Sequence, residues 1–241
     1  MHTRYGRRLP LSRRSSIRLA HMSWMVPAGS LLLAMLIHAA NGPRAVPFFI
    51  SEADAAGPQE WVFSVGLTAG GFIQAVFAWQ LYHDVDSKST TTWFVGTLVG
   101  IVASLNTVLL AYYDMWNRID QHVLTSMTAF GGGLLWAFLA HASLGDHGTP
   151  RGNAERRVGF ISSFVAFWTM VVSFRLGTSE LTSQGLTTAE FLNQAQSGIN
   201  VAAPAEYVLV AGLFLCLASF RHELRVPQTD ERNEAMADGT V

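Results

Sequence analysis

The chain has 241 residues, of which 50% are hydrophobic and only 14% charged, and its mean hydropathy is +0.27. A soluble domain of this length carries nearer a quarter charged residues, so the composition argues against a soluble enzyme and points to an integral membrane protein. The formal net charge of -1 shows no basic excess for a nucleic-acid partner. The single cysteine, Cys216, lies in an apolar run, where it cannot form an intrachain disulfide and packs as a small hydrophobe.

Residues 1–21 contain Arg4, Arg7, Arg8, Arg13, Arg14 and Arg18 and no acid. They read as a disordered basic arm against anionic headgroups. Ser12-Arg13-Arg14-Ser15-Ser16 is similar to a twin-arginine export signal, but the apolar run that follows, 22–40, is long for a signal core and sufficient to cross a bilayer. Next comes the polar stretch from Pro47 to Glu60. Two prolines, Gly57 and the carboxylates Glu52, Asp54 and Glu60 exclude a continuous helix there, so it reads as an ordered loop at a membrane surface.

Five further apolar runs follow, at 61–82, 93–113, 123–144, 158–176 and 204–220. Each is long enough to span as a helix, and none shows the alternation of a spanning strand. The expected fold is therefore all-α: a six-helix membrane domain over 22–224, followed by a disordered tail, 225–241. Gly66-x-x-x-Gly70 and Gly96-x-x-x-Gly100 allow close helix approach, here read as intrachain packing, with a homo-oligomer left open. With the arm inside, only Arg44, Arg118 and Arg175 among 16 Lys and Arg residues fall outside. This bias places both termini in the cytoplasm of a cell-membrane protein, with loops 42–60, 114–122 and 177–203 external.

On that external side the polar groups collect. His122 opens the fourth helix and Glu206 the sixth, Asp114 ends the third and Arg175 the fifth, and Asn106 lies about two turns below Asp114. With Ser51, Asp54 and Glu60 from the loop they suggest a polar, outward-open pocket. Each has a plainer role: Glu206 as a first-turn acid after Pro204, His122 as an interfacial residue, Asp114 and Arg118 as an i,i+4 pair. No HxxxH, HExxH or paired Cys/His spacing supports a metal, no Gly-x-Ser-x-Gly elbow or nucleotide loop appears, and no cofactor or catalytic residue is assigned.

Pro47-Phe48-Phe49-Ile50-Ser51, Asp54, Pro58 and Glu60 before the second helix, His122 opening the fourth, and Glu206-Tyr207 in the sixth resemble the FRAG/DRAM/SFK family. That family includes damage-regulated autophagy modulators and the N-terminal membrane domain of CWH-type proteins. The chain departs from it by one extra residue between Pro47 and Ser51 and by the basic arm. The resemblance implies six helices and a connection to membrane lipid. Two alternatives stand beside a lipid-binding pocket: an enzyme of acyl or headgroup transfer using His122 and the carboxylates, and a non-catalytic scaffold. A secondary transporter is less well supported, because no pair of symmetry-related broken helices appears.

Overall fold

In the computed structural model, residues 11–181 and 185–225 are described. Six long helices account for the six apolar runs: α1 Arg13–Ala40, α2 Pro58–Asp84, α3 Thr90–Tyr112, α4 Ile119–Leu144, α5 Pro150–Thr178 and, after the short α6 Thr188–Gln194, α7 Gln196–Ser219. All six are long and apolar enough to cross a membrane. Their outward faces carry large exposed apolar side chains, among them Leu32, Leu36, Val65, Phe72, Val102, Leu124, Val165 and Leu176. Such a surface suits hydrocarbon rather than water.

The sequence explains most helix starts. Ser12, Ser89 and Thr149 cap α1, α3 and α5 by accepting the backbone N–H of Ser15, Thr92 and Gly152 at 3.3, 3.4 and 3.1 Å. Pro58 and Pro150 occupy first-turn positions, where a missing N–H costs nothing. Gly57, with φ 138°, supplies the backbone turn that sends the loop into α2. Pro27 sits inside α1 and cannot donate to the Ser23 carbonyl one turn back. Gln74 of α2 donates its Nε2 to that carbonyl instead, at 3.0 Å.

Consecutive spanning helices are neighbours, and α7 closes the ring by meeting both α5 and α1. The contact between α5 and α7 is the most extensive. A Cβ on Gly177 would meet Gly198 Cα at 2.6 Å, and one on Gly159 would meet Gly212 O at 2.6 Å, so the two backbones touch. The Ser163 hydroxyl adds a bond to Leu209 O at 2.8 Å. Gly66 and Gly70 of α2 face Ser30 and Pro27 of α1, while Gly96 and Gly100 of α3 face Leu139 and Trp136 of α4. The small-residue spacing serves packing within the chain.

Three expectations change. Helix α1 begins at Arg13, so residues 13–21 are helical rather than part of a disordered arm. Ser16 and Ala20 are buried there, and Arg13 Nε donates to Leu224 O at 2.8 Å, which gives the segment tertiary support. Helix α7 begins at Gln196, two turns before Pro204, so Glu206 lies in its third turn and has no first-turn role. The 177–203 stretch also holds α6, whose capping box joins Thr187 and Glu190 through bonds of 3.3 and 2.8 Å. Residues 1–10 of the arm and the tail from 226 lie outside the described residues.

The start of α1 and the 220–225 segment meet at the face opposite the 41–57 loop. There buried Arg156 of α5 pairs with Glu223 at 2.6 Å and lies over the Phe220 ring at 4.7 Å. Glu223 also accepts the Thr149 N–H at 3.2 Å and so ties the last turn to the start of α5.

Candidate functional site

The loop between α1 and α2 folds back over the bundle, because four successive backbone groups find partners there. Gln196 Nε2 donates to Pro47 O at 3.0 Å, and the Tyr207 hydroxyl donates to Phe48 O. Phe49 N–H donates to Glu52 Oε1 at 3.0 Å and Ile50 N–H to Glu206 Oε2 at 2.6 Å. Buried backbone groups left unpaired would be costly, so these bonds fix the loop's position. Phe48 packs edge-on against His38 at 4.9 Å, and Phe49 against Phe174 at 5.5 Å.

A buried ion pair locks this arrangement. Arg44 grips Glu52 with two bonds of 3.1 Å, and its third nitrogen reaches Asn193 Oδ1 at 3.1 Å and Gln196 Oε1 at 2.7 Å. The Glu52 side chain is fully buried and that of Arg44 is 8% exposed, so removing either would strand the other as an unpaired buried charge. Arg44, Glu52, Asn193 and Gln196 were not among the sequence candidates. The available signal was a lone arginine between an apolar helix and Pro47, eight residues before an acid.

Beneath the loop lies a cavity of about 120 Å³ lined by α1, α2, α3, α4 and α7. Its walls are mainly apolar, with Leu67, Ala103, Ala129, Phe130, Leu213 and Phe214 among them. Ile50 and Ser51 line its loop-side end together with Glu206. The Glu206 side chain is buried, and among the described residues its Oε1 has no hydrogen bond. The expected polar, outward-open pocket is therefore an apolar one with a small polar end under the loop.

The eight sequence candidates divide accordingly. Ser51 and Glu206 line the cavity, and the Ser51 hydroxyl approaches Met115 Sδ at 3.4 Å. Asp54 is buried beside it in the loop, with Oδ1 accepting from Ser64 Oγ at 3.3 Å and Oδ2 unpartnered. Burial, and then the negative charge of Asp114, push its carboxyl up from an ordinary 3.8 to about 7, against the Ser64 bond. Glu60 and Arg175 are exposed. Asn106 donates to Val102 O of its own helix at 2.9 Å and does not line the cavity.

Asp114 and His122 build the turn between α3 and α4. Asp114 Oδ1 accepts the backbone N–H of Trp116 and Asn117 at 3.0 and 2.7 Å, an Asx turn. No ion pair joins it to Arg118, whose guanidinium instead lies over the Tyr112 ring at 5.4 Å. His122 is buried, and its Nδ1 lies 2.7 Å from Tyr113 O. A carbonyl only accepts, so Nδ1 carries the hydrogen. The hydrogen bond of His122 thus goes to backbone, not to a loop carboxylate or to Glu206.

A family model described as Frag1/DRAM/Sfk1/Cwh43P N-terminal domain matches residues 15–225, the whole six-helix bundle. The chain belongs to this family. No curated protein and no solved structure matches the chain. The features noted in the resemblance have distinct places in this Frag1/DRAM-family bundle: Pro47 to Asp54 form the folded-back loop, Glu206-Tyr207 hold that loop from α7, and His122 holds the α3–α4 turn.

Proposed function

We propose that this membrane protein of the Frag1/DRAM family binds membrane lipid, with an apolar chain seated in the central cavity and the loop-side end carrying the polar contact. The loop is taken to face the exterior of a cell membrane, as the distribution of basic residues indicates. The observation that carries the reading is the cavity itself: it is apolar along its length and ends at a buried carboxyl with one free oxygen. Ligand sites are commonly apolar clefts with a few convergent polar groups. Chemistry by His122 is less favoured, because the ring does not line the cavity and its hydrogen bond goes to the Tyr113 carbonyl and not to a carboxylate.

Ala129 lines the cavity and is buried. Ala129→Phe is expected to remove most co-purifying lipid, measured by mass spectrometry in mild detergent, while the melting temperature stays near that of wild type. Wild-type protein that carries no lipid, or a folded variant that carries the same amount, would sink the reading.

A further inference from the structure

The donor and acceptor pattern at the loop-side end of the cavity narrows the ligand class, on the premise that the cavity holds lipid. We infer that the cavity selects a neutral lipid with a free hydroxyl headgroup and rejects lipids headed by a phosphate. The hydroxyl hydrogens that line this end are already committed: Ser126 Oγ donates to His122 O at 2.7 Å, Thr107 Oγ1 to Ala103 O at 3.3 Å and Ser51 Oγ to Met115 Sδ at 3.4 Å. What they offer a ligand is lone pairs. Glu206 adds an oxygen, Oε1, which has no hydrogen bond among the described residues.

Among the described residues none that lines the cavity is Lys, Arg or His. The nearby cation on the loop, Arg44, is fully engaged by Glu52, Asn193 and Gln196. An end of hydroxyl lone pairs and one carboxyl, without a cation, suits a neutral ligand that can both donate and accept, as a hydroxyl does. A hydroxyl donates one hydrogen and carries no charge, so it can pair with Glu206 Oε1 at little desolvation cost. A phosphate brings a charge, and would shed its water without gaining a counter-ion. The cavity runs from Glu206 to Leu217 along α7, about 16 Å at 1.5 Å per residue, a length that a single acyl chain can follow behind the hydroxyl.

The test compares two photoactivatable probes with identical diazirine-bearing chains, a diacylglycerol and a phosphatidic acid, on wild-type protein in mild detergent. Crosslinked peptides are mapped by mass spectrometry. The expected result is that diacylglycerol labels the cavity segments around Ala129–Gly133 and Val210–Phe214 roughly tenfold more than phosphatidic acid, the factor that one mismatched hydrogen bond makes. A monoacylglycerol, which carries its free hydroxyls on a single chain, should compete with that label; failure to compete overturns recognition of the hydroxyl. Equal or stronger labelling of these segments by phosphatidic acid overturns the selectivity and leaves lipid binding standing. Labelling of neither segment by either probe overturns both.

Discussion

Arg44 shows how one side chain can decide a loop. Its guanidinium joins Glu52 to Asn193 and Gln196, and so connects the α1–α2 loop to α6 and α7. Arg44→Ala leaves Glu52 buried without its counter-ion and is expected to destabilise the protein by roughly 3–5 kcal/mol, read from detergent-solubilised unfolding. The double variant Arg44→Met with Glu52→Leu should cost less than that, because it strands no charge. Asp54 gives a pH dependence whose sign follows from its raised carboxyl, at about 7 against an ordinary 3.8. Below about pH 4 both folded and unfolded chains hold the proton. Between there and about pH 7 the unfolded chain ionises first, so stability falls as pH rises through this window and levels off above it. Asp54→Asn should therefore raise the melting temperature at pH 8 and leave it nearly unchanged at pH 4; equal shifts at both would exclude the linkage.

At the scale of elements, the pair of α5 and α7 depends on backbone contact at glycine. Gly177 meets Gly198 with no room for a methyl group between them. Because the obstacle is backbone rather than a movable side chain, Gly177→Val is expected to cost about 1–3 kcal/mol, whereas Gly131→Ala, which has open space around it, should be close to neutral. Thermal unfolding of the two variants side by side checks this. The α3–α4 hairpin is different. It meets α7 sparsely, and the cavity occupies the space that closer packing would have filled.

For the whole molecule, the question is which way the loop faces. The membrane-crossing ring leaves Ala56 exposed at the loop end and Arg151 exposed at the opposite end. With buried Cys216 replaced by alanine, Ala56→Cys is expected to react with an impermeant thiol reagent on intact cells, and Arg151→Cys only after permeabilisation. The reverse pattern would invert the orientation and place the loop in the cytoplasm. Either result leaves the ring of helices as it is, since that is fixed by interhelical contact rather than by charge.

The class of the protein was legible in its residues: six apolar runs of bilayer length, the breaks between them and the glycines at which helices meet. These are local properties, because hydrocarbon requires each spanning segment to satisfy its own backbone. Helix ends were less legible. Residues 13–21 are helical through contacts with the far end of the chain, such as Arg13 with Leu224, that no local pattern reveals. The site was legible only in part. Ser51 and Glu206 meet at the loop-side end of the cavity and Asp54 is buried in the loop against Ser64, while Asp114 and His122 are taken up by turn geometry and Glu60, Arg175 and Asn106 lie elsewhere. That Arg44 carries Glu52 onto Gln196 and that the cavity is apolar were not legible, because pairing across 152 residues of chain and the shape of a gap between helices are properties of packing.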